Sequence, residues 1–160
     1  MSTREFFAER LAAELPAFNK VIRALPGERL DYRPHEKNTP AGQLAWQLSD
    51  EMSHLPILFA TGEINYVPPT VPATIDEIAG TFERNAQLAA DAAKTVDEER
   101  WNSPARFLWN GQPVWEDTVA GIAWGYLFDM IHHRGQLTAY LRPMGGKVPA
   151  CYGPSADESS

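Results

Sequence analysis

Two short stripes of polar side chains are the parts of this sequence that could do chemistry. Gln47, Glu51 and His54 recur at spacings of 4 and 3, and Asp129, His133, Gln136 and Tyr140 at 4, 3 and 4. Residues three and four apart share one face of a helix, so each set reads as a stripe along a cleft. Asp129 and His133 can converge on one point, where a carboxylate and an imidazole can bind a divalent cation. The same spacing also suits a plain local ion pair. Context adds to the first reading. Asp129 interrupts Trp124–Phe128 and Met130–Ile131, the most apolar part of the chain. That setting predicts a carboxylate not fully solvated, and a buried charge needs a partner or a metal. His54 lies about 10 Å from Gln47 along a helix axis, so it can line the same cleft without sharing an ion with it. His132 stands about 100° round the helix from His133 and faces elsewhere. His35, beside Pro34, reads as an exposed loop residue. Cys151 has no CxxC partner and reads as a plain thiol.

Four helical segments are expected to position these stripes. Ser2 and Glu5 form a capping-box pattern. Behind it Phe7, Leu11, Leu15, Phe18, Ile22 and Leu25 mark one helix face. Pro16 should kink this segment, and Pro26-Gly27 ends it. The second runs from Thr39-Pro40, read as N-cap and first helical residue, to Thr61-Gly62. Its core face is Leu44, Leu48, Met52, Leu55 and Phe59, with Pro56 expected to kink it or end it early. Glu63 to Ala73 carries Pro68, Pro69 and Pro72 and reads as a long extended connection. The third helix is expected over Ile75–Val96. Asn110-Gly111 between aromatic flanks signals a hairpin within 105–115, with Pro113 holding its second strand to an edge. The fourth helix is expected over Asp117–Leu141. These elements predict an all-α fold, a four-helix bundle over residues 1–160 with a small β-hairpin before helix 4. The long connection permits a crossover between helices 2 and 3.

Composition removes several function classes. The chain has 160 residues and a net charge of −7 without a basic block, so it lacks the clustered cations that nucleic acid requires. The apolar stretch 119–128 is far short of the roughly 20 residues that span a bilayer, so no membrane partner is expected. The N-terminus lacks an apolar signal core, and a single cysteine suits a reducing cytoplasm. Thirteen prolines, about 8% of the chain, are above the usual share. Pro40 starts a helix, Pro26 and Pro143 follow helix ends, and Pro68, Pro69 and Pro72 stiffen the long connection.

The run His133-Arg134-Gly135-Gln136-Leu137, followed by Tyr140-Leu141-Arg142 and Gly145, resembles the last-helix signature of the DinB-like family. Val148-Pro149-Ala150-Cys151-Tyr152-Gly153-Pro154 and Gly42-Gln43-Leu44-Ala45-Trp46 are similar to its ending and its second helix. The resemblance implies an up-down-down-up bundle, a homodimer, and one divalent metal held by three histidines. Some characterised relatives are metal-dependent S-transferases that use a low-molecular-weight thiol.

At the implied ligand positions this chain carries Gln47, Asp129 and His133, so one histidine of three is kept. An Asp ligand lowers the net charge of the site, and an amide oxygen is a weak, hard ligand. Both changes favour Mn²⁺ or Mg²⁺ over the Zn²⁺ or Ni²⁺ of the family. Glu51, one turn from Gln47, can replace it and complete a Glu/Asp/His set like a facial triad. The alternative is a metal-free hydrogen-bonded network of Gln47, Asp129 and His133. Two functional readings follow. One is a metal-dependent enzyme, of S-transferase or hydrolase type, acting on a small molecule in the inter-helix cleft. The other is a non-catalytic small-ligand binding or stress-response module, with Trp46, Trp109, Trp115 and Trp124 as packing and pocket wall.

Overall fold

The computed structural model describes residues 1–159. Four long helices and a small sheet dominate it: α1 (Thr3–Arg23), α2 (Ala41–Thr61), β1 (Glu63–Tyr66), α3 (Ile75–Thr95), α4 (Glu98–Trp101), β2 (Pro104–Trp109), β3 (Gln112–Thr118) and α5 (Val119–Leu141). A single 3₁₀ turn, Gly27–Arg29, lies between α1 and α2.

The caps follow local chemistry. At α1 the Ser2 hydroxyl accepts from the Glu5 amide, and the Glu5 carboxylate accepts from the Ser2 amide. Thr74 and Thr118 cap α3 and α5 in the same way through their hydroxyls. α2 differs from expectation by one residue. Pro40 is its N-cap, extended at ψ 147°, and the helix begins at Ala41. Nor does Pro56 end α2, which runs on to Thr61 and stops at Gly62 with φ 76°. Glycine takes that left-handed turn without strain, and it delivers the chain directly into β1.

The sheet is larger than the expected hairpin. Asn110 and Gly111, both at positive φ, turn β2 into antiparallel β3 as anticipated. The correction concerns Glu63–Tyr66. These four residues precede the prolines and can donate to a ladder, so they pair parallel with β2. The result is a three-stranded sheet in the order β1-β2-β3, with β3 on an edge. β3 also extends to Thr118, two residues into the segment expected to be helical.

α3 and α5 each pack against both α1 and α2. Phe7, Phe18, Leu48, Leu55, Phe82 and Leu137 are among the fully buried side chains between them. The short α4 drives Trp101 into this core beside Phe7 and Phe59, and its indole N–H donates to Thr3 Oγ1 at 3.1 Å. Among the described residues no helix is long and apolar enough to cross a membrane.

Candidate metal and ligand cleft

α2 and α5 bring the two polar stripes together. Each of Glu51, Asp129 and His133 offers one donor atom, and the three atoms lie within 4.8 Å of one another. Asp129 Oδ2 is 3.2 Å from His133 Nε2. The Gln47 amide sits between the helices, with Nε2 2.8 Å from Glu51 Oε1 and 2.8 Å from His133 Nε2. On the far side of the imidazole, Nδ1 is 2.8 Å from Gln136 Oε1. An amide oxygen accepts, so Nδ1 carries a proton and Nε2 is the nitrogen turned toward the carboxylates.

The two carboxylates sit in opposite environments. Glu51 is 8% exposed, while the Asp129 side chain is 55% exposed. The buried acid is therefore on α2, and Asp129 stands at the mouth, half-exposed and paired with His133. Its neighbour Phe128 is also open to solvent. Glu51 Oε2 is buried with no hydrogen-bond partner. Burial pushes the Glu51 carboxyl up to about 8, and the Gln47 hydrogen bond only partly opposes this. The hydrogen bond to Asp129 raises His133 to about 9, and the same bond lowers Asp129. At neutral pH the cluster thus holds two protons that an incoming cation would displace.

A cleft of about 540 Å³ opens onto this cluster. Gln43, Gln47, Glu51 and Asp129 line one side, and the sheet supplies Tyr66, Phe107, Trp109 and Trp115. Strand pairing explains the aromatic wall. Tyr66 is in register with Trp109, and Phe107 with Trp115, so the four rings share a sheet face. Gly125 of α5 completes it, because a Cβ there would collide with the Trp115 ring.

His133, behind Asp129, and the other anticipated residues fall outside the lining. Gln136 stands behind His133. His54 stands behind Tyr126, with its Nδ1 3.4 Å from the phenol oxygen and Asp50 3.8 Å from its other nitrogen. Burial lowers the His54 pKa and raises that of Tyr126, so a neutral imidazole faces a protonated phenol. Tyr140 is not brought to the cleft. Two turns beyond His133, it donates to the Thr39 carbonyl at 3.3 Å and packs edge-on against Tyr32. Sequence reasoning missed Tyr66 and Phe107 because the wall depends on β1. The alternation of Ile64 with Tyr66, and of Phe107 with Trp109 in the hairpin flank, was their signal.

The donor set fits a divalent cation. Two carboxylates, one imidazole with its tautomer set by Gln136, and an unpartnered buried oxygen can answer the charge of such an ion.

Comparison with known proteins agrees on the fold. The chain is 24% identical to the uncharacterised protein YrdA of Bacillus subtilis (strain 168) over 165 residues, covering 98% of this chain and 92% of the relative. A crystal structure of a DinB-like protein from Bacillus cereus ATCC 10987 superposes with a TM-score of 0.73 at 22% identity, over 92% of this chain and 97% of that one. The DinB-like protein YjoA from Bacillus subtilis gives 0.69 at 16% identity, over 89% and 95%. The DinB family profile matches residues 1–160, and the chain belongs to the DinB family.

Proposed function

We propose that this protein is a metal-dependent enzyme, of transferase or hydrolase type, acting on a small molecule held in the aromatic cleft. Its long helices are read as an up-down-down-up bundle in a cytoplasmic homodimer. The observation that carries the reading is the convergence of one donor atom each from Glu51, Asp129 and His133 within 4.8 Å, with Glu51 Oε2 a buried carboxyl oxygen that has no hydrogen-bond partner. An orphaned buried acceptor costs stability unless something answers it, and a divalent cation does. Glu51, Asp129 and His133 would hold the ion, with Gln47 adjacent. When bound, such an ion supplies Lewis acidity or an activated water or thiol. The protein's own groups do the rest. Gln136 fixes the imidazole, Trp109 and Trp115 screen the cleft from water, and the Tyr126 phenol can donate to a substrate oxygen. For the homodimer, the supporting feature is a surface ladder of Phe6, Trp124 and Phe128, with ring centroids 5.8 and 5.6 Å apart.

A metal-free binding module is the second reading. Gln47 supports it by donating its amide N–H to Glu51 while lying 2.8 Å from the His133 ring nitrogen. Metal analysis of the untagged protein separates the two. Stoichiometric metal that is lost in Glu51→Ala, Asp129→Ala and His133→Ala supports the enzyme reading. Absence of metal after supplementation with Mn²⁺, Zn²⁺ and Ni²⁺ refutes it.

A further inference from the structure

The formal charge on the cleft lining is that of Asp129, half-exposed at the mouth, with Glu51 beneath it as a protonated acid and His133 behind. Glu51 and Asp129 line it, and among the described residues no Lys or Arg does. Against these two acids stand the rings of Tyr66, Phe107, Trp109 and Trp115. Trp109 packs on Tyr66 with centroids 4.8 Å apart, yet 48% of it remains exposed. Large rings left open at the mouth of a cavity form a contact surface. Their faces carry the negative side of the ring quadrupole, and several together attract a desolvated cation.

Each class of ligand can be set against this lining. An anion would meet the Asp129 carboxylate and the negative ring faces, with no Lys or Arg in the lining to hold it. A neutral apolar molecule could cover the rings, but it would gain nothing from the Asp129 carboxylate beside them. An organic cation satisfies both halves of the cleft, the rings through its alkyl surface and Asp129 through its charge. The geometry points to a substrate carrying a small organic cation, an alkylated ammonium group seated on the Tyr66–Trp109 wall and facing Glu51 and Asp129. This inference rests on reading the cleft as the substrate site, and not on the identity of any ion in the cluster. A metal bound by Glu51, Asp129 and His133 would offset the carboxylates and leave the rings as the seat. Without metal, the Asp129 carboxylate adds to the attraction.

Three probes of one shape test it: choline, its uncharged isostere 3,3-dimethyl-1-butanol, and the anion 3,3-dimethylbutyrate. Each is titrated calorimetrically into the full chain, both metal-supplemented and EDTA-dialysed. Choline is expected to bind about tenfold or more tightly than the isostere, equivalent to about 1.4 kcal/mol, and the anion most weakly. Trp109→Leu should lose that preference and Trp109→Phe should keep most of it, with circular dichroism unchanged in both. Equal binding of choline and the isostere, tighter binding of the anion, no binding of choline, or an unaffected Trp109→Leu would each overturn the inference. Choline preference in a protein that takes up no metal refutes only the metal reading. Stoichiometric metal without choline preference refutes only this one.

Discussion

The buried carboxyl of Glu51 makes a quantitative prediction about pH and stability. Its pKa lies near 8 in the folded protein against 4.5 for the free group, with burial the main cause. A raised pKa means that the folded state holds the proton more tightly. Its stabilising contribution is complete below pH 4.5 and is lost as pH rises through 8. A tenfold change in proton affinity corresponds to about 1.36 kcal/mol, so the whole interval is worth about 5 kcal/mol. The group is almost fully enclosed, so little of this is screened. His133 acts in the same direction. Held near 9 by Asp129, it loses its contribution between pH 6.5 and 9. The two groups interact, so their effects do not add. For a chain of this size 5 kcal/mol corresponds to about 10–20 °C in Tm. Urea unfolding of the EDTA-dialysed protein at pH 5 to 9 should show the midpoint falling steadily at constant m. Glu51→Gln keeps the shape, removes the titration and should flatten most of that slope. Excess divalent metal should reverse it, because the ligands must shed protons to bind. A wild-type stability that rises between pH 6 and 8 without metal, or a Glu51→Gln slope equal to the wild type's, would refute the reasoning.

Further outcomes follow from neighbouring residues. Gln136→Ala frees the His133 ring and should weaken metal affinity by about 10–100-fold, read by chelator competition, with little change in Tm. Gly125→Ala places a methyl against Trp115. It should cost about 1–3 kcal/mol by denaturation, or shift Trp115 fluorescence as the ring swings out of the cleft. Arg134 is buried, pairs with Glu14 at 2.6 Å, bonds to the Tyr152 hydroxyl, and stacks on Phe18 and Tyr152. Arg134→Ala leaves Glu14 unpaired and unpins the C-terminal segment. It should cost roughly 3–5 kcal/mol and speed proteolysis beyond Val148.

Helical periodicity made the long elements legible. Core positions such as Leu44, Leu48, Met52 and Leu55 recur on one face whatever the tertiary contacts are. The hairpin was legible because Asn110-Gly111 favours a tight turn by backbone geometry alone. β1 was not, since four residues beside three prolines become a strand only when β2 is there to pair with them. The same distinction runs through the site. The i, i+4 rule joined Asp129 to His133 within one helix. It could not decide between Gln47 and Glu51, which share a stripe and differ by about 40° round the axis. Helix rotation makes that choice. Glu51 has Leu48, Met52 and Leu55 as its 3, 1 and 4 neighbours, all fully buried. That flank turns Glu51 inward, whereas Phe128 and Asp129 lie on a face that α5 shows to water. α5 is apolar nearly all round, so its composition around Asp129 carried no information about depth. An acid set among core positions of an amphipathic helix is the stronger sign of burial. Here it marks the residue whose unanswered oxygen gives the cleft its chemistry.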